Sequence, residues 1–176
     1  LTIKEDKILK VVKGYSGQYT TEMGPSDTTD KITWESDLPS VVSVNSNGSI
    51  IAKKVGIAKI TATTTSGIKV VHYVRVKLKK PTGVKLTKKS KKITKKKKSY
   101  SVTVKWTKNR NAVKYYVYRR RSTKSSYTRI ATTTEPKYID TKIKKNKKYY
   151  YKIKAIYSNT KLNSDRTPAY AIVIGK

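Results

Sequence analysis

The sequence predicts an all-β protein made of two β-sandwiches in tandem, and three observations carry that expectation. Apolar residues recur with a period of two, in short runs separated by Gly, Asn, Asp, Ser and Pro, and no stretch holds a helical stripe. Tyr, Val, Ile and Thr dominate these runs and Phe is absent, which suits half-buried strands. The charge is divided unevenly. Of a formal net charge of +32, residues 1–80 carry 13 Lys+Arg against 7 Asp+Glu, and residues 81–176 carry 29 against 3. The chain therefore reads as two bodies with different electrostatics. The break at Lys79-Lys80-Pro81 sets domains at 1–79 and 80–176, expected end to end with almost no linker.

In chain order, the turn signals Gly14-Tyr15-Ser16-Gly17 and Gly24-Pro25-Ser26-Asp27 precede the first alternating run, Ile32-x-Trp34. Val42-x-Val44 is closed by Asn47-Gly48, Ile60-x-Ala62 by Ser66-Gly67, and Val74-x-Val76 runs up to the boundary. The second half alternates through Val102-x-Val104-x-Trp106 and Val113-x-Tyr115-x-Val117. The turn Lys144-Lys145-Asn146 then leads into Tyr149-x-Tyr151-x-Ile153-x-Ala155.

Residues 31–67 carry a denser pattern: Trp34-x-Ser36, a short turn, a strand with Val41 and Val44, then Gly48, Ala52, Gly56 and Ile60-Thr61-Ala62. This resembles the bacterial immunoglobulin-like domain of group 2, and with flanking strands the resemblance extends over residues 1–79. The second half resembles a fibronectin type III domain, with Trp106 in strand B, Tyr115 and Val117 in strand C, and Ile143, Asn146, Tyr149, Tyr151, Ile153 and Ala155 spanning the E–F corner and strand F. Together the resemblances imply two tandem immunoglobulin-like β-sandwiches with Trp34 and Trp106 in their cores. They also imply that Tyr149 is the corner tyrosine, its ring buried and its hydroxyl bonded to backbone near Ile143 to Asn146. Lys145 stands where the family often has Pro, which removes a stiffer turn. No Arg-Gly-Asp occurs, so the integrin-binding loop of some animal members has no counterpart.

Catalytic chemistry finds little footing. Without Cys there is no thiolate nucleophile, disulfide or Cys-based metal site. His72, the only His, lies among Val70, Val71, Tyr73 and Val74, so a structural role in a strand is expected of it rather than a place in a triad. Asp27 and Asp30 flank a Thr-rich turn, where capping the turn outweighs holding a cation. No catalytic residue, metal or cofactor is expected.

Two basic features invite a binding role. Lys88, Lys89, Lys91, Lys92, Lys95, Lys96, Lys97 and Lys98 place eight Lys within eleven residues. The resemblance to a fibronectin type III domain implies that this run falls between strands A and B, at an edge of the second sandwich. Edge lysines discourage pairing with other chains, but this density exceeds that need and suits a flexible cationic arm for an anionic polymer. Strand parity also sends Tyr116, Tyr118, Arg120, Tyr150, Lys152 and Lys154 to one outward face, where exposed aromatics among cations would suit sugar rings or phosphates. Simple cross-strand stabilisation of an exposed sheet is the more economical account of that face.

The resulting expectation is a non-catalytic adhesion or spacer segment of a bacterial surface or secreted protein, extracellular and monomeric. Its second domain would contact teichoic acid, acidic polysaccharide or a host glycosaminoglycan, and its other partners would be a host surface ligand and neighbouring domains of the parent protein. No apolar run approaches the ~20 residues that span a bilayer. Membrane insertion is not expected, and signal and anchor segments of an exported parent would lie outside these residues. The alternatives are an accessory region of a larger secreted enzyme and a nucleic-acid-binding protein; the charge fits the latter but no RNA-binding signature or groove helix does.

Overall fold

The computed structural model describes residues 1–25 and 29–175. The chain divides into two compact units, Leu1–Leu78 and Lys79–Lys176. Among the described residues the regular elements of both are β-strands, apart from one 3-10 turn at Thr160–Leu162.

In the first unit the strands are β1 (Thr2–Ile3), β2 (Ile8–Val12), β3 (Ser16–Gln18), β4 (Thr21–Glu22), β5 (Ile32–Ser36), β6 (Val42–Val44), β7 (Ser49–Ala52), β8 (Gly56–Thr64) and β9 (Lys69–Lys77). One sheet has the order β2-β9-β8-β5, with β2 parallel to β9, and a second has the order β3-β7-β6; β1 and β4 pair separately. The period-two alternation turns Val42, Ile50, Ala52, Ala58, Ile60, Val74 and Val76 inward, and each is essentially without solvent exposure. Trp34 differs from expectation. It is only half-buried and packs against the rim of the core, because β5 is an edge strand with no neighbour beyond it to cover the indole.

The second unit holds β10 (Lys85–Lys92), β11 (Lys98–Lys105), β12 (Lys114–Arg120), β13 (Thr128–Thr133), β14 (Lys137–Asp140), β15 (Lys147–Ile156) and β16 (Tyr170–Ile174). They form sheets β10-β11-β14 and β13-β12-β15-β16. Val102, Val104, Trp106, Tyr115, Val117, Tyr149, Tyr151, Ile153 and Ala155 are all buried, as the alternation requires. Val113 breaks the pattern: it precedes β12 and is exposed.

Candidate functional site

The expectation of a flexible arm between two strands is corrected: the lysine run is an ordered hairpin, with Lys88, Lys89, Lys91, Lys92 and Lys98 on paired strands and only Lys95, Lys96 and Lys97 in the turn, because β11 supplies the hydrogen bonds that extend β10. Strands β10 and β11 pair antiparallel over their whole length, from Lys85 opposite Lys105 to Lys92 opposite Lys98. A tight turn closes the hairpin, with the Ile93 N–H donating to the Lys97 carbonyl at 2.8 Å and the Lys97 N–H donating to Thr94 Oγ1 at 3.1 Å. β10 has a partner on one side only, so the expected sheet edge is present. All eight lysines are exposed, and among the described residues none forms an ion pair.

The fold adds to this hairpin a residue from a distant turn. Lys145, in the turn between β14 and β15, joins lysines 95–98, Ser90, Tyr100 and Gly175 around a cavity of about 560 Å³. A smaller cavity of about 240 Å³ adjoins it, lined by Lys88, Lys89, Ser90, Tyr100, Ile174 and Gly175. Lys145 is brought there by the pairing of β15 with β16, in which Lys147 lies opposite Ile174, and by the Asn146 N–H, which donates to the Ile174 carbonyl at 2.7 Å. No local spacing connects Lys145 with residues 95–98, so only the topology could reveal the grouping.

The aromatic and basic face is assembled as parity predicts, but it is not open. Tyr116 lies opposite Lys154, Tyr118 opposite Lys152 and Arg120 opposite Tyr150. Tyr118 is buried rather than exposed, with the Arg166 guanidinium 4.0 Å from its ring centroid. Arg129 stands 4.5 Å from the centre of Tyr116, and Arg120 covers both Tyr127 at 4.6 Å and Tyr150 at 5.1 Å. These rings already carry cations of their own chain, interactions worth about 0.5–1 kcal/mol each at exposed sites. Only the outward exposure expected of Tyr118 is corrected; the other rings carry cations of their own chain, an arrangement that suits the more economical account of cross-strand stabilisation.

Beneath that sheet, Asp140 is fully buried. Its Oδ2 accepts from Arg119 Nη1 at 2.6 Å and from the Tyr151 hydroxyl at 2.8 Å, and its Oδ1 accepts from the Lys142 N–H at 3.0 Å. Burial, reinforced by this bond to Asp140, raises the Tyr151 phenol well above its ordinary value. Tyr149 is buried beside it, and the Lys144 N–H donates to its hydroxyl at 2.9 Å, within the turn the resemblance named. Tyr149→Phe is expected to lower the stability of the second unit by about 1 kcal/mol, the worth of a partly buried hydrogen bond, measured by urea unfolding. An unchanged midpoint would contradict the corner role.

The remaining titratable candidates sit in structural positions. His72 is buried in β9, edge-on to Tyr19 with ring centroids 5.6 Å apart, and burial lowers its basicity below the ordinary value. Burial likewise pushes the Tyr19 phenol up to about 12. Asp30 accepts from Ser66 Oγ, Thr65 Oγ1 and the Ser66 N–H, anchoring the β8–β9 turn, and the bonds from Ser66 and Thr65 hold its carboxyl below its ordinary value. Asp27 lies outside the described residues.

A family model for the bacterial Ig-like domain (group 2) matches residues 2–74. The match runs along nearly the whole of the first unit. Two curated relatives share short stretches with the chain: a lacto-N-biosidase of Bifidobacterium bifidum is 39% identical over 59 residues, 34% of this chain and 5% of that protein. An uncharacterised protein of Clostridium acetobutylicum is 41% identical over 59 residues, 33% of this chain and 15% of that protein. The chain thus spans only a small part of either relative. Among solved structures, a segment of two fibronectin type III domains from chicken tenascin matches with a TM-score of 0.56 and 14% identity, covering 98% of this chain and 96% of that one. At that identity the likeness concerns the fold alone, and the fold of the second unit is that of a fibronectin type III domain.

The signature residues of the Ig-like unit have local physical roles. The Ser36 hydroxyl donates to the Val42 carbonyl at 2.7 Å in a buried position, tying the end of β5 to β6. Asn45 and Asn47 both accept from the Ser49 N–H, which fixes the β6–β7 turn. Gly48 in that turn adopts φ +81°, and a Cβ there would meet the Trp34 indole at 2.9 Å. Trp34 itself stacks on Tyr19 with ring centroids 5.3 Å apart and planes 7° apart. The half-exposed indole is thus held between the turn glycine and a tyrosine rather than enclosed in the core.

Proposed function

We propose that this chain is a non-catalytic attachment segment of a bacterial surface or secreted protein: its Ig-like unit serves as a spacer or adhesion module, and its fibronectin type III-like unit adheres to anionic polymers. Ig-like and fibronectin type III domains are generally non-catalytic, and group 2 bacterial Ig-like domains are typical of surface and secreted proteins. Among the described residues no helix is long and apolar enough to cross a membrane. The observation that carries the polyanion reading is the hairpin itself, which holds eight exposed lysines, five on its paired strands and three in its turn, with no carboxylate partner among the described residues. Binding would proceed by release of counterions from the polymer, so affinity would fall as salt rises.

The test replaces Lys95, Lys96, Lys97 and Lys98 with Gln together. These side chains are solvated at the hairpin tip, so the fold should persist. Binding to a sulfated or phosphorylated polymer should weaken, and the slope of log affinity against log salt should flatten by about 0.7–0.9 for each polymer charge that the variant no longer neutralises. Equal affinity of parent and variant across the salt series would reduce the lysines to protectors of a sheet edge. Tighter binding to duplex DNA than to polysaccharide of equal charge density would favour a nucleic-acid partner instead. The likeness to part of a lacto-N-biosidase supports a compatible second reading, in which the segment is an accessory region of a larger secreted enzyme.

A further inference from the structure

The two cavities beside the hairpin meet at Tyr100, Ser90 and Gly175, and their chemistry differs. Five lysines surround the larger one, whereas the smaller is bounded by Tyr100 and the buried Ile174 as well as by Lys88 and Lys89. Strand register explains why a cleft opens there. Leu86, Lys88 and Ser90 on β10 lie opposite Val104, Val102 and Tyr100 on β11, so all six point to the inner face of their sheet. From Leu86 to Ser90 that inner row changes from apolar to Lys and Ser, and past Val102 the core gives way to the cavities. A Cβ on Gly175 would lie 3.9 Å from both Lys145 Cγ and Tyr100 Cε1, so the lysine stem and the ring approach the same backbone.

Tyr100 also differs from the tyrosines of the opposite sheet. Tyr116, Tyr118, Tyr127 and Tyr150 each carry an Arg or Lys of their own chain over the ring. Tyr100 is half-buried, and among the described residues no cation or second ring is stacked on it.

We propose that this cleft binds an acidic saccharide, with a sulfate or phosphate substituent in the lysine cavity and the apolar face of a sugar ring against Tyr100. The inference rests on the polyanion reading of the hairpin and names its ligand class. A ring-free polyphosphate would satisfy the lysines but leave the tyrosine side of the cleft unused.

The experiment measures binding of the full chain to dextran sulfate, phosphorylated dextran and inorganic polyphosphate of matched charge, over a salt series. Three single variants accompany the parent: Lys145→Gln in the cleft, Lys161→Gln as an equal loss of charge in the 3-10 turn, and Tyr100→Leu. The parent should bind at least one of the two dextrans more tightly than polyphosphate, and the preferred dextran identifies the substituent. Lys145→Gln should weaken dextran binding by about two- to fivefold, the range of an exposed ion pair, with a flatter salt slope, and Lys161→Gln by clearly less. Tyr100→Leu should weaken dextran binding and leave polyphosphate binding unchanged. If Lys145→Gln and Lys161→Gln behave alike while the parent still binds, or polyphosphate binds best, the cleft is not the site and the wider polyanion reading stands. If the parent binds none of the three polymers, both readings fail.

Discussion

Asp140→Ala is expected to destabilise the second unit by about 3 kcal/mol or more. The carboxylate is 1% exposed and accepts three hydrogen bonds, from Arg119, Tyr151 and the Lys142 backbone. Truncation leaves a guanidinium whose side chain is only 20% exposed facing an empty site, and it also strips the buried Tyr151 hydroxyl of its acceptor. The residual exposure of Arg119 allows partial hydration, which holds the loss to the lower part of the ~3–5 kcal/mol range for broken buried pairs. Loss of one of the three carboxylates in residues 81–176 further worsens self-repulsion in a unit with 29 Lys+Arg.

Because domains of this size are stable by only about 5–15 kcal/mol, the variant should lose a substantial share of its stability. With urea slopes of about 1–3 kcal/mol per molar, the midpoint should fall by at least about 1 M. Trp106 belongs to this unit and Trp34 to the other, so fluorescence of a Trp34→Phe chain follows the second unit alone. Asp140→Asn, which keeps an acceptor and nearly the same volume, should lose clearly less. Equal losses for Ala and Asn would show that the charge, not the hydrogen-bond geometry, carries the stability; no loss in either would refute the role of the network.

The core of both sandwiches was legible because it depends on alternation within single strands. Val102, Val104, Trp106, Tyr115, Val117, Tyr149, Tyr151, Ile153 and Ala155 could be assigned inward from parity alone, and each is buried. Strands without an apolar row were not legible in that way. Thr128–Thr133 forms β13 because it pairs with β12, and Lys85–Lys92 extends as a strand because β11 supplies its hydrogen bonds. Groupings across elements were the least accessible. Arg119 stands in a run of three arginines, and nothing nearby marks it as the partner of a carboxylate 21 residues away. The burial of Tyr118 depends on Arg166 from a distant loop, and Lys145 reaches the hairpin cavity only through the pairing of β15 with β16.

In the Ig-like unit, Gly48→Ala is expected to cost about 2–4 kcal/mol, from two separable causes. At φ +81° an L-residue pays about 1–2 kcal/mol in backbone strain, which glycine avoids. The added methyl would also meet Trp34 Cε2 at 2.9 Å, closer than real Cβ atoms approach their neighbours, and Cζ2 at a tight 3.0 Å. The indole has little freedom to withdraw, since it stacks on Tyr19, which is itself 4% exposed and packed in the core. Gly48→Asn separates the causes, because Asn tolerates the left-handed region yet still carries a Cβ, so it should retain the steric part of the loss. Pairing Gly48→Ala with Trp34→Leu should recover that same part, seen as a favourable coupling in a double-mutant cycle. If Gly48→Asn proves neutral and the cycle shows no coupling, the glycine serves the turn alone and the indole does not constrain it. Coupling of about 1 kcal/mol or more would instead give the Trp and Gly of this domain family's pattern one physical origin: the turn glycine is required because the tryptophan of the preceding edge strand lies across it.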